Sequence, residues 1–162
     1  MGTGLGAAIY RFDGKAWVLE QILQTPIVSG QDVAVRGDLI VLGSYPDAKA
    51  HVYQFDGTTW NFQQSLVASD YAGHCCFGEA VVIGDGFIVV GDGLRNGDAG
   101  FNSGGAYIFE FDGTQWVEKF ILVTDDDALV SSRVRGCRGS PFPRRDGRVL
   151  GLSPRAARRG AA

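Results

Sequence analysis

The chain has 162 residues, 45% of them hydrophobic, with a net charge of −3. That length suffices for one domain with a real core, and no run of about 18 apolar residues reads as a membrane span. No charged-then-apolar leader follows Met1, so no signal peptide is read.

An internal repeat organises the chain. "YRFDGKAW" at 10–17 returns as "YQFDGTTW" at 53–60 and "FEFDGTQW" at 109–116, so Trp17, Trp60 and Trp116 stand 43 and 56 residues apart. A second element repeats with it: "SGQDVAVRGDLIVLG" at 29–43 matches "FGEAVVIGDGFIVVG" at 77–91. Unequal connections explain the unequal intervals, with 11 residues between Gly43 and Phe55 and 19 between Gly91 and Phe111.

In chain order, residues 5–23 carry one FDG turn and the strands on either side of it. Residues 30–66 predict four strands, near 32–36, 39–43, 50–55 and 60–66. The unit at 78–123 predicts the same four, at 79–83, 87–91, 106–111 and 116–122. Asp-Gly between β-branched runs is a strong hairpin signal. In the FDG turns, Gly supplies positive φ and Asp is expected to tolerate it. Tyr107, Phe109 and Phe111 alternate onto one strand face, with Ile108 and Glu110 on the other. The repeated Trp, opening each fourth strand, is expected to cover its neighbours rather than to stack on a ligand.

Four antiparallel strands per unit without helical periodicity describe a β-propeller blade. The expected fold is all-β: a partial propeller of four-stranded antiparallel blades with a disordered C-terminal tail. Its divisions are 1–29, the outer half of a blade plus a linker; 30–66 and 78–123, two full blades; and 133–162, the tail. Because a propeller closes with four to eight blades, the chain reads as a fragment of a longer one.

Charge sets the tail apart. Residues 1–132 sum to −11, whereas 133–162 hold 9 Arg, no Lys and only Asp146, summing to +8. The next Phe-Gly is due near 133, but "SSRVRGCRGSPFPRRDGRVLGLSPRAARRGAA" stands there instead. Arg133-Val134-Arg135-Gly136 can be written CGG-GTT-CGG-GGN, and removing one G gives Arg-Phe-Gly. The tail is therefore read as the product of a shifted reading frame. The competing reading is a true Arg-rich tail that binds nucleic acid with strong salt dependence.

The pattern "FGEAVVIGDGFIVVGDG" followed by "NSGGAYIFEFDGTQW" resembles the bacterial FG-GAP repeat proteins, distant relatives of the integrin α-chain propeller. Phe77-Gly78 stands where that family writes FG and Gly91-Asp92-Gly93 where it writes GAP; in the first unit Ser29-Gly30 and Gly43-Ser44-Tyr45-Pro46 take those places. The resemblance covers about residues 4–132. It implies a secreted or cell-surface propeller, non-enzymatic, used for adhesion or recognition of a protein or carbohydrate ligand rather than nucleic acid. The calcium loop of integrin-type repeats does not carry over, because only Gly84-Asp85-Gly86 and Gly37-Asp38 stand at that connection.

Residue chemistry adds little beyond this. No cofactor is assigned; calcium is suggested only by the loop "DGLRNGDAGFNSG" at 92–104, where Asp92, Asn96 and Asp98 offer oxygens and Gly97 sits sixth. Leu94 and Gly100 occupy positions that need donors, and Asp, Asn and Gly are also ordinary turn residues. Cys75, Cys76 and Cys137 form no C-x-x-C spacing. His74 near Cys76 lacks a third member, His51 opens a strand, and Asp125-Asp126-Asp127 reads as a solvated link. No catalytic residue and no metal ligand are assigned, and the ligand-binding residues are left unknown, with the 92–104 loop the expected place for contacts. Two other readings are an accessory piece of a larger hydrolase and self-association through open blade edges.

Overall fold

The structure, a computed structural model, describes residues 7–23, 32–71, 76–96, 104–123 and 157–159. Strands β1 (Ala8–Phe12) and β2 (Trp17–Ile22) form a two-stranded half-blade. The first full blade is a meander of β3 (Asp32–Arg36), β4 (Leu39–Ser44), β5 (Lys49–Phe55) and β6 (Trp60–Leu66). The second runs β7 (Ala80–Ile83), β8 (Phe87–Asp92), β9 (Gly105–Phe111) and β10 (Trp116–Leu122), with every neighbouring pair antiparallel. The all-β, partial-propeller expectation thus describes the fold. A three-residue 3-10 turn, Tyr45–Asp47, links β4 to β5.

The three FDG turns are built alike. Gly14, Gly57 and Gly113 sit at φ of +100°, +98° and +102°, a region glycine enters without a Cβ penalty. The Asp plays a different part from the one expected of it. Among the described residues only Ala48 has positive φ without being glycine. Instead, each Asp carboxylate accepts two backbone N–H groups across the turn. Asp13 takes those of Lys15 and Ala16, Asp56 those of Thr58 and Thr59, and Asp112 those of Thr114 and Gln115, all at 2.8–2.9 Å. The turn is an Asx cap on a glycine bend. Across it the ring pairs Phe12–Trp17, Phe55–Trp60 and Phe111–Trp116 pack at 5.5, 5.1 and 5.3 Å.

Every outer hairpin also carries a β-bulge. The register slips so that Glu20, Gln63 and Lys119, each three residues past its Trp, oppose no partner. A bulge reverses which face the residues after it take. Gln21 and Gln64 therefore point at the next blade. Gln21 donates to the Trp60 carbonyl and accepts the Trp60 N–H, both at 2.8 Å. Gln64 does the same for Trp116 at 2.9 and 2.7 Å. Phe120 stands at the corresponding place in the second blade.

The main core lies between the two full blades. Leu39, Val41, Ala50, Val52 and Leu66 of the first meet Phe77, Val81, Ile83, Ile88, Val90, Tyr107, Phe109, Trp116 and Ile121 of the second. A smaller cluster joins the half-blade to the first blade through Ala7, Ile9, Leu23, Ile40, Leu42, Tyr53 and Trp60.

The expected tail lies outside the described residues except for β11 (Ala157–Arg159). This stretch pairs antiparallel with Phe120–Leu122 on the outer edge of β10. An edge strand offers unpaired N–H and C=O groups to any extended segment, which is why so short a run can add there.

Candidate functional site, the loop end of the second blade

The family-like motifs turn out to be the joint between blades. Phe77 is fully buried and meets Tyr107 edge-on at 5.2 Å and Phe109 at 6.3 Å. Gly78, at φ +92°, donates its N–H to the Gly91 carbonyl at 3.0 Å, tying Phe77-Gly78 to Gly91-Asp92-Gly93. A side chain at Gly78 would strike the Lys49 carbonyl and come within 2.9 Å of the Ser44 nitrogen, and one at Gly43 would strike the Gly78 carbonyl. Backbone against backbone leaves no flexible atom to yield. Asp32 on β3 accepts the Val81 N–H at 3.1 Å, and Arg36 pairs with Asp85 between the adjacent inner turns.

The base of the 92–104 loop is held by a charged network. Arg95 donates from Nε and Nη2 to Asp70 Oδ2 at 2.8 and 2.6 Å, and Tyr107 donates from its hydroxyl to Asp70 Oδ1 at 2.7 Å. Asp70 comes from the link after the first blade, so three segments meet on one carboxylate. Burial opposes the Arg95 charge, but hydrogen bonding and charge attraction from Asp70 outweigh it and raise the guanidinium above its ordinary value. Burial first, then the bond to Asp70, pushes the Tyr107 hydroxyl far up, so it stays protonated and remains a donor. The Gly104 N–H closes the loop neck on the Arg95 carbonyl at 3.1 Å, and the Arg95 stem fills the space where Gly105 has no side chain. Asp92 is buried and accepts the Leu94 N–H at 3.1 Å.

Of the oxygens considered for calcium, Asp92 serves this turn, Asn96 is exposed, and Asp98 and Gly100 lie outside the described residues. Among the described residues no group of three His, Cys, Asp or Glu side chains is placed to hold a metal ion. His74, Cys75, Cys137 and Asp125-Asp126-Asp127 also lie outside them, and Cys76 is a buried free thiol.

His51 has more company than its sequence position shows. Its Nδ1 lies 2.9 Å from Ser65 Oγ and its Nε2 3.5 Å from Asp47 Oδ2. The order Ser, His, Asp is that of a nucleophile, base and orienter. Yet the ring is only 3% exposed and packs near Phe62 at 6.2 Å. Burial lowers the His51 pKa, Asp47 opposing and Lys49 reinforcing it, so the ring is neutral in the fold and serves as a hydrogen-bonded part of the blade. Pairing across β5–β6 makes this contact, since His51 faces Ser65 in the register. The Asp70 network and the Gln clamps were likewise hidden, except that Gln21 and Gln64 share one place relative to their Trp.

Blades stacked through a glycine joint, with a loop braced at one end, define a propeller-repeat scaffold. The FG-GAP repeat family model matches residues 60–109, so this chain carries an FG-GAP repeat. The matched span starts on β6 and ends on β9 and includes both Phe77-Gly78 and Gly91-Asp92-Gly93, the residues of the joint. Comparison with curated proteins and with solved structures returned no match. No helix among the described residues is long and apolar enough to cross a membrane.

Proposed function

We propose that the chain is a non-enzymatic recognition scaffold, acting outside the cell or on its surface, that binds a protein or carbohydrate through the 92–104 loop. The Asp70–Arg95–Tyr107 network carries this reading. It clamps the base of the 92–104 loop, the longest connection within either blade, onto the link after the first blade, so the loop enters binding with part of its ordering cost already met. The repeated motifs support it too, since FG, FDG and Trp are absorbed in joints and turns, leaving the loop end to vary without loss of fold.

The test is a binding screen of the full chain against arrayed glycans and extracellular-type proteins, followed by recovery of the bound ligand. Binding of an unaltered ligand, weakened about tenfold by Arg95→Ala in a variant that keeps the wild-type fold, supports the reading. A ligand recovered chemically changed, or one indifferent to the loop, overturns it.

A further inference from the structure

The loop end of the first blade holds buried polar atoms that the fold leaves unpaired. His51 Nε2, Asp47 Oδ1 and Ser44 Oγ are each shut off from solvent and make no hydrogen bond. Folded chains leave few such atoms without a reason. Ser44 and His51 share one face of the sheet, since Leu42 opposes His51 in the register and Ser44 follows Leu42 by two residues. Asp47 comes from the 3-10 turn that joins β4 to β5. That turn ends on Ala48 at φ +51°, the one left-handed residue other than glycine among those described.

Distance decides what fits between His51 and Asp47. Their Nε2 and Oδ2 atoms stand 3.5 Å apart, beyond the about 3.2 Å of an ordinary hydrogen bond. Two donors each about 2.1 Å from a tetrahedral zinc ion stand about 3.4 Å apart. The other ring nitrogen suits the same role, for Nδ1 lies 2.9 Å from Ser65 Oγ. With the ring proton donated there, Nε2 turns a lone pair on the Asp47 carboxylate, and two electron-rich atoms buried face to face need a cation between them. Lys49 Nζ stands 3.8 Å from the same Oδ2, but its side chain is 42% exposed and swings into solvent as a dication enters.

We infer that Asp47 and His51 are the ligands of a zinc-like divalent transition-metal ion, which pins the β4–β5 connection to its blade. The buried Ser44 hydroxyl and water complete the shell. Imidazole favours such an ion over calcium, which takes six or more oxygens. Two strong ligands and a hydroxyl make an exchangeable site rather than a permanent one. The ion does for the first blade what Asp70 does for the second. Tyr107 faces Val90 as His51 faces Leu42, and Tyr107 too reaches from that place to a charged group at the loop end.

The probe is zinc chloride titrated into the isotope-labelled full chain, with cobalt(II) as its coloured substitute. The expected result is saturable one-to-one binding, the intense visible absorption of tetrahedral cobalt, and a nitrogen shift at His51 Nε2 rather than Nδ1. His51→Gln and Asp47→Asn should each abolish binding, and Ser65→Ala, which frees the ring to turn, should weaken it about tenfold. Thermal unfolding without metal checks that each variant keeps its fold, and the nitrogen shift reads the wild type directly. No saturable binding, a shift at Nδ1 or none at His51, or binding unchanged in His51→Gln overturns the inference. So does binding lost in His74→Ala, which moves the ion to the other histidine.

Discussion

Trp17 and Trp116 occupy the same place in the same motif, opening the strand after an FDG turn and packing on its Phe, yet Trp17 is 70% exposed and Trp116 8%. Two further matched pairs agree: Tyr10 and Ile22 of the half-blade are open to solvent, whereas their counterparts Phe109 and Ile121 are buried against the first blade; Phe12 and Phe111, at the turn, are exposed in both. Local sequence therefore builds the hairpin in both places, and the neighbouring blade decides what the hairpin is worth. A repeat array gains its stability from interfaces between units as much as from the units.

The comparison breaks hardest at the joint. Phe77→Ala should cost about 3–5 kcal/mol in denaturant unfolding, the range for emptying a buried aromatic site. Gly78→Val should be as severe, since it adds backbone collisions to a φ that β-branched residues avoid. Next comes the matched pair of tryptophans. Trp116→Ala should cost about 3 kcal/mol and Trp17→Ala no more than about 0.5 kcal/mol, although both remove the same ring from the same motif. Equal losses would mean that the half-blade face is covered in solution.

The glutamine clamps sharpen the comparison at a smaller scale. Gln64→Leu removes both hydrogen bonds to the Trp116 backbone and should cost about 1–3 kcal/mol, because that strand edge is partly buried. Gln21→Leu should cost less, for the half-blade it anchors has less apolar surface to release. Thermal unfolding of the two variants side by side checks the order.

Most of the strand plan is readable in the sequence. Turn glycines and apolar runs place β3 to β10 within a residue or so, because each strand pairs with its chain neighbour and needs no distant information. The bulges are not readable: Glu20, Gln63 and Lys119 share no residue type, and the slip appears only in the pairing. Half of the site was legible. The 92–104 loop stands out by its length, but Asp70 and Arg95 are 25 residues apart and meet only because the link after the first blade folds back over β9. Exposure of Trp17 could not be read from FDGKAW at all, since burial belongs to the neighbour.

The smallest effects are those of pH. Burial lowers the His51 pKa from the ordinary 6.5, so the unfolded chain binds a proton at this site more readily than the folded one. Stability at this site is full above about 6.5 and declines as pH falls from there towards the folded value. His51→Gln should remove that part of the decline while the rest of the acid transition stays. The FDG turns act lower on the scale. Backbone N–H groups hold Asp13, Asp56 and Asp112 below the ordinary 3.8, so their contribution is present above that value and is lost as pH falls through the lower folded one. All three carboxylates are fully exposed, and the three turns share one geometry. Two of them carry extra local contacts: Asp56 also accepts from Thr59 Oγ1 and Asn61 Nδ2, and Asp112 feels the charge of Lys119. Asp56 and Asp112 should therefore titrate below Asp13 by NMR, and three equal values would show that the backbone N–H groups of the turn alone set the carboxylate.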